Sequence, residues 1–285
     1  MNHHRDYCKF SIGGDGLIKV LVTGAYGRMG REAAKTVLGA ADMVLAGVVD
    51  SQGAGLDIGQ VIGCGSTGII IENDLDEFLK RVHPDVAVEF TAPQAVFRDT
   101  LKYLEHGVRP VIGTTGLDAG QINEIIDLSE KNGVGGLIAP NFAIGAILMM
   151  RFAAEAVRFL PNVEIIEMHH DQKIDSPSGT AIKTAEIISE QMGDDNQHGL
   201  NAEIETLPGA RGVKYDGGIR IHSVRLPGLV AHQEVILGGL GQTLTIRHDT
   251  INRESFMPGL LLAIRRSINL ERVVYGLEKL LFESA

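Results

Sequence analysis

Two stretches of this chain concentrate residues that do chemistry. The denser is Glu167-Met168-His169-His170-Asp171-Gln172-Lys173-Ile174-Asp175-Ser176-Pro177-Ser178-Gly179-Thr180-Ala181. Histidine is a proton donor near neutral pH. Lys173 supplies positive charge three residues after the second histidine. Ser178 is suited to cap a helix, and the free amides near Gly179 and Thr180 then form an anion site. Together these residues suit a small carboxylate substrate that is protonated as it is reduced. Blander readings compete. If the strand continues, His169 and His170 point to opposite faces, and one is an ordinary packed histidine; Lys173 is then a solvated loop lysine. His169, His170 and Asp171 lack the further ligands of a metal site, so no metal is expected.

The second stretch is Gly24-Ala25-Tyr26-Gly27-Arg28-Met29-Gly30, between an apolar run and a helical pattern. Glycines let the backbone turn sharply and approach a pyrophosphate, and a helix start offers unpaired N–H groups to it. Arg28 adds a full charge. The spacing GxxGxxG is weak by itself, but its position after a strand and before a helix strengthens it. Asp50 ends the next strand, 20 residues after Gly30, where a carboxylate accepts the ribose hydroxyls of a dinucleotide. No Lys or Arg occurs from Thr36 to Leu79. A 2′-phosphate would meet Asp50 without a cation, so NADH is expected over NADPH.

The bulk composition agrees. The chain has 285 residues, about two domains' worth, and 44% of them are hydrophobic, enough for a real core. A net charge of −10 argues against nucleic acid and acidic lipid as partners. Anionic ligands would need positive groups concentrated locally. Cys8 and Cys64 fit neither a disulfide framework nor a zinc spacing. There is no apolar run long enough for a membrane span, and the polar N-terminus does not read as a signal peptide. A cytoplasmic protein is expected, with residues 1–17 a flexible extension.

The elements that would position these residues alternate in the first half. Strands are expected over 19–23, 43–49, 68–71, 84–90, 109–112 and 136–139, with helices over 28–38, 75–82, 95–106 and 121–131. That order means βαβ units, hence a parallel Rossmann-type sheet with helices on both faces. The second half expects helices over 142–159 and 181–192, a polar loop over 194–199, and strands over 163–168, 218–226, 230–237 and 242–248. This is an α+β domain with a mixed sheet. Helices are expected over 256–267 and 271–282, packing back on the first domain. The expected division is 18–140 with 251–285 for the dinucleotide, and 141–250 for substrate and oligomerisation.

With both stretches in hand, the sequence closely resembles the 4-hydroxy-tetrahydrodipicolinate reductase family, also called dihydrodipicolinate reductase, of bacterial and plant lysine biosynthesis. The carrying motifs are the Gly24 turn, Gly113-Thr114-Thr115-Gly116, Ala139-Pro140-Asn141-Phe142 and, most specific, the run from Glu167 to Ala181. The resemblance covers the chain from about Lys19 onward. It implies reduction of a cyclic dicarboxylate by NAD(P)H with loss of the 4-hydroxyl as water, in a homotetramer. It further implies that His169 and Lys173 are proton donors. His170, Lys173, Gly179 and Thr180 would hold substrate carboxylate. Gly24, Ala25, Tyr26, Gly27, Arg28, Met29, Asp50, Gly113, Thr114, Thr115, Ala139, Pro140, Asn141 and Phe142 would line the cofactor, with Arg253 and Phe256 near it. The family often carries a basic residue just after the acidic one at the end of the second strand; here Ser51 stands there. Another two-domain oxidoreductase, such as an aspartate or homoserine dehydrogenase, fits the glycine turn but leaves the run from His169 to Ala181 without a role. A nucleotide-sensing protein without turnover leaves His169 and Lys173 without one.

Overall fold

The computed structural model describes residues 16–192 and 204–282. Cys8, the loop expected over 194–199 and nearly all of the expected N-terminal extension lie outside the described residues. The chain forms two compact units. The first runs to Phe142 and resumes at Phe256; the second holds Ala143–Ser255.

The first unit is built on a seven-stranded parallel sheet. In chain order its elements are β1 (Ile18–Thr23), α1 (Arg28–Leu38), β2 (Met43–Val49), α2 (Ile58–Val61), β3 (Ile71–Glu72), α3 (Leu75–Val82), β4 (Val86–Glu89), α4 (Pro93–Glu105), β5 (Arg109–Ile112), α5 (Ala119–Asn132) and β6 (Gly136–Ile138). Val20, Leu21 and Val22 are buried, and so are Val86, Ala87 and Val88. Such unbroken apolar runs belong to strands covered on both faces. β1 lies between β2 and β4, so the strand order reverses there. Ligands bind outside the carboxyl ends of the strands at such a reversal.

The expected strand over 68–71 shrinks to Ile71–Glu72. The cause is Asp57, whose carboxylate accepts the Gly59, Thr67 and Gly68 amides and the Ser66 and Thr67 hydroxyls. The Gly68 amide is therefore spent on a side chain rather than on a neighbouring strand.

The second unit contains α6 (Ile144–Ala156), β7 (Asn162–His169), α7 (Gly179–Gln191), β8 (Val213–Lys214), β9 (Arg220–Arg225), β10 (Ala231–Gly239) and β11 (Gln242–Thr250). The strand order is β11-β10-β7-β9-β8. β10 is antiparallel to β7 and β11, while β7 and β9 run parallel, so the sheet is mixed. One face, bearing Val163, Ile165, Ile221, Val235 and Leu237, is buried. α6 packs on β10 and β11, and α7 on β7. The opposite face, with Glu164, Ile166, Met168 and Ile236, is only half-buried.

The chain then returns to the first unit through α8 (Met257–Ser267), β12 (Val273–Tyr275) and α9 (Glu278–Phe282). The single helix expected over 271–282 is not formed. Val273, Leu277 and Leu280 are spaced like one helix face and are all buried. Yet Val273, Val274 and Tyr275 favour strand and pair with β6 at the sheet edge. Gly276, at φ 96°, then breaks the path.

Glu89 ends β4 with its side chain wholly buried. Its Oε2 lies 2.6 Å from both the Thr23 and Tyr103 hydroxyls, which are 2.9 Å from each other. Two hydroxyl protons serve only two sides of that triangle, so a proton on the carboxyl would fill the third. Burial raises the pKa of Glu89 above the ordinary carboxylate value, against the opposing donors Thr23, Thr91 and Tyr103. A group of this kind contributes its stability below the unfolded-state pKa and loses it as pH rises through the folded one. Wild type should therefore lose thermal stability relative to Glu89→Gln as pH rises above the ordinary carboxylate range. Each kcal/mol of that difference appears as about 2–4 °C in Tm for a unit of this size. Melting both proteins across a pH series tests this; a pH-independent difference would mean that Glu89 is ionised throughout.

Candidate active site

The nucleotide end begins where β1 runs into Gly24. This glycine has φ 68°, and a Cβ on it would lie 2.2 Å from the Phe90 carbonyl oxygen. A Cβ on Gly30 would lie 2.1 Å from the Gly24 oxygen. The turn and the first helical turn thus nest with no room for side chains. Gly27 caps α1 and no side chain closes it, which leaves first-turn amides available to an anion. Asp50 accepts the Tyr26 amide on one oxygen and the Gln52 amide on the other, each at 2.8 Å. It fastens the turn to the end of β2 and keeps lone pairs for hydroxyl donors. The Arg31 guanidinium lies 4.4 Å over the Tyr26 ring, and its Nε donates to the Tyr26 carbonyl. Arg28 is exposed, and Ala25 and Met29 are buried and half-buried.

The neighbouring strand ends carry the other expected cofactor residues. Glu89 O accepts the Gly113 and Thr114 amides, and the Thr114 hydroxyl donates to Glu89 O and Thr91 O. A Cβ on Gly113 would lie 2.2 Å from the Phe90 ring, which meets Phe142 edge-on at 6.0 Å. Thr115 and Pro140 are exposed, Asn141 half-buried and Ala139 buried. The glycine turn, Asp50, Gly113–115 and 139–142 are therefore gathered at the carboxyl edge of one sheet, and a cradle that Cβ atoms would fill fits a dinucleotide. Arg253 and Phe256 occupy a short 3-10 turn. Arg253 belongs to the second unit and Phe256 to the first.

The second cluster lies at the end of β7. Glu167 sits on the buried face of the strand and is fully buried. Its carboxylate is held bidentately by Arg225 of β9, Nη1 at 2.8 Å and Nη2 at 2.7 Å. It also lies 2.6 Å from His169 Nδ1 and accepts the Ser178 amide at 3.2 Å. Burial pushes the Glu167 carboxyl up, but Arg225, Ser223 and His169 outweigh it and the net shift is downward. Burial lowers the pKa of His169 below its ordinary value; Glu167 opposes this, while Lys173 and Arg225 add to it.

Ser178 caps α7 with its hydroxyl on the Ala181 amide. The Gly179 and Thr180 amides are the first-turn donors left over, and among the described residues neither has a hydrogen-bond partner. His170 is exposed beyond the strand end, so both histidines do not remain on a continuing strand. Lys173 pairs with Asp175 at 2.7 Å and 2.9 Å. Through Glu167, His169 is tied to Ser178 at the start of α7, Lys173 acts on the same ring, and His170 is exposed at the end of the strand that carries it.

Two family models divide the chain. Dihydrodipicolinate reductase, N-terminus, matches residues 18–142, and Dihydrodipicolinate reductase, C-terminus, matches residues 145–281. The chain belongs to the dihydrodipicolinate reductase family. Among its relatives, the 4-hydroxy-tetrahydrodipicolinate reductase of Desulfitobacterium hafniense (strain DSM 10664 / DCB-2) is 54% identical over 93% of this chain and 98% of its own. That of Listeria monocytogenes serotype 4b (strain CLIP80459) is 50% identical over 93% and 100%. The dipicolinate-bound dihydrodipicolinate reductase from Paenisporosarcina sp. TG-14 is 46% identical, with a TM-score of 0.82 over 92% of this chain and 99% of that one. An amine dehydrogenase from Mycobacterium smegmatis, at 14% identity and a TM-score of 0.64, shares the fold alone.

Within this dihydrodipicolinate reductase family member, sequence reasoning missed Arg225 and gave Glu167 no role. A signal existed. Glu167 shares the buried face of its strand with Val163 and Ile165, and a carboxylate there demands a cation. Which cation depends on the register of β7 against β9, and local sequence carries no trace of that.

Gly24→Ala tests the glycine turn. Strain at φ 68° is worth on the order of 1–3 kcal/mol of folded stability. The displaced turn should also weaken nucleotide binding severalfold or more. Tm and calorimetric titration with NADH read the two effects; unchanged nucleotide affinity would exclude the turn from the cofactor site.

Proposed function

We propose that this chain reduces 4-hydroxy-tetrahydrodipicolinate to tetrahydrodipicolinate with NAD(P)H, a step of lysine and diaminopimelate biosynthesis. The observation that carries the reading is the meeting of His169, Lys173 and the unpaired Gly179 and Thr180 amides at the end of β7, in a chain of this family. The substrate is a cyclic dicarboxylate. The Gly179 and Thr180 amides and His170 hold one carboxylate, using the helix N-terminus as the anion site. Lys173 reaches the carboxylate by exchanging the exposed Asp175 for it. These groups supply locally the positive field that a chain of net charge −10 lacks overall.

Bound at the Gly24 turn, Asp50, Gly113–115 and 139–142, the reduced nicotinamide supplies the hydride. Reduction with loss of the 4-hydroxyl consumes one proton, so substrate, NAD(P)H and H⁺ give product, NAD(P)⁺ and water. His169 delivers the proton, with Lys173 the second donor at the same site. Asp50 accepts the ribose hydroxyls. With Ser51 beside it and no Lys or Arg from Thr36 to Leu79, a 2′-phosphate gains no cation from this segment, and NADH is the preferred cofactor over NADPH. Arg253 and Phe256 take a peripheral part in nucleotide binding.

The reading extends to assembly and location. The half-buried face of the second sheet carries Ile166, Met168 and Ile236, which supports a homotetramer built through that face. Among the described residues no helix is long and apolar enough to cross a membrane, and the supply of reduced nucleotide favours the cytoplasm.

Supplying the condensation product of pyruvate and aspartate semialdehyde and following NADH absorbance tests the activity. Turnover is expected, and reaction only with a different substrate would overturn the assignment. His169→Gln should lower kcat by roughly 10²–10⁴-fold, the usual worth of a general acid, with nucleotide affinity unchanged. A variant that kept its kcat would move the proton donor elsewhere. kcat/KM should be higher with NADH than with NADPH; a strong NADPH preference would contradict the Asp50 argument.

A further inference from the structure

We propose that Glu167, clamped by Arg225, is a positioning residue that sets the tautomer of His169 and ties that ring to the start of α7. The inference rests on the reductase reading for its kinetic consequences and on geometry alone for the tautomer.

A buried carboxylate must replace the water it has lost with donors. Glu167 does so with three different parts of the second unit. Arg225 brings β9, His169 brings the end of β7, and the Ser178 amide brings the cap of α7. Arg225 directs the second N–H of each terminal nitrogen to its own strand at Val224 O and to the loop before α7 at Asp175 O, both at 2.8 Å. The guanidinium therefore holds both the carboxylate and the loop that leads to Ser178. The two Glu167 oxygens divide the work, Oε1 taking Ser178 and Oε2 taking His169. Through this one group, the proton donor and the two free amides of Gly179 and Thr180 are held in a fixed relation.

The bidentate arginine keeps Glu167 ionised, and an ionised carboxylate only accepts. His169 Nδ1 must then carry a hydrogen in both protonation states. Neutral His169 is the Nδ1–H tautomer, and the proton gained on forming imidazolium goes to Nε2, on the side away from Glu167. That proton is the one delivered to substrate. The charged groups acting on His169 are Glu167 of its own strand, Lys173 of the following loop and Arg225 of β9; Asp175 faces Lys173 and Arg225. Among the described residues, Glu167 is the carboxylate hydrogen-bonded to the ring, and it opposes burial and both cations.

The two halves of the clamp consequently act in opposite directions. Removing the negative charge in Glu167→Gln leaves His169 facing two cations and lowers its pKa. The alkaline limb of the kcat–pH profile should move to lower pH, and kcat at neutral pH should fall, by less than the roughly 10²–10⁴-fold worth of the acid itself. Glu167→Asp should restore part of it. Arg225→Gln removes a cation from beside the coupled Glu167–His169 pair, whose shared proton is then released at higher pH, and should move the limb to higher pH. A structural role would lower activity in both variants without opposite shifts.

The test uses the full-length enzyme. pH profiles of the wild type and the three variants are recorded together with the KM for NADH, which should not change. Nitrogen NMR of histidine-labelled wild type above the His169 pKa reads the tautomer without substrate or turnover. Nδ1–H is expected in the wild type. An Nε2–H tautomer, or limbs that shift in the same direction in Glu167→Gln and Arg225→Gln, would overturn the proposal. Should Glu167→Gln not fold, the wild-type tautomer and the Arg225→Gln limb still decide it. Absence of turnover alongside the Nδ1–H tautomer would sink the reductase reading and leave the positioning role standing.

Discussion

A carboxylate taken wholly out of water must find its donors inside the protein, and in the second unit that requirement is met at Glu167. Breaking a buried pair of this kind costs about 3–5 kcal/mol, so the elements supplying the donors are not free to drift. β7 is held to β9 by the Glu167–Arg225 pair as well as by its ladder. The loop after His169 returns to the same carboxylate at Ser178. The proposed anion site at the start of α7 and the histidine that would protonate the substrate thus share one anchor.

A second buried acid serves the first unit by a different electrostatic solution. Glu89 has no guanidinium; hydroxyls from Thr23, Thr91 and Tyr103 surround it. Its backbone carbonyl holds Gly113 and Thr114. One residue at the reversal of strand order therefore joins β1, the loop after β4 and the loop after β5, whose ends line the proposed nucleotide cradle. Where Arg225 favours the ionised form of Glu167, burial shifts Glu89 toward its neutral form. The first arrangement suits a site that must hold a protonated ring, and the second suits a floor beneath a ligand that already carries phosphates.

Much of this was legible in the sequence because it is local. The strand ending at Thr23 and the glycines after it announce themselves by apolar run and spacing. Ser178 announces the start of α7 because capping is decided within one helical turn. What was not legible depends on partners distant in sequence. Arg225 is 58 residues from Glu167, and only the β7–β9 register brings them together. The segment after Glu271 was misread because Val273, Leu277 and Leu280 are spaced like a helix face, whereas the open edge of β6 and Gly276 make the first of them part of a strand. The strand over 68–71 was overextended because nothing in its own residues reveals that Asp57 takes the Gly68 amide.

The most direct measurement is an amide and side-chain NMR titration of the enzyme with dipicolinate, a planar dicarboxylate that does not react. The largest shifts are expected at the Gly179 and Thr180 amides and at the side chains of His169, His170 and Lys173. Saturable shifts confined to other residues, with the start of α7 unmoved, would contradict the site.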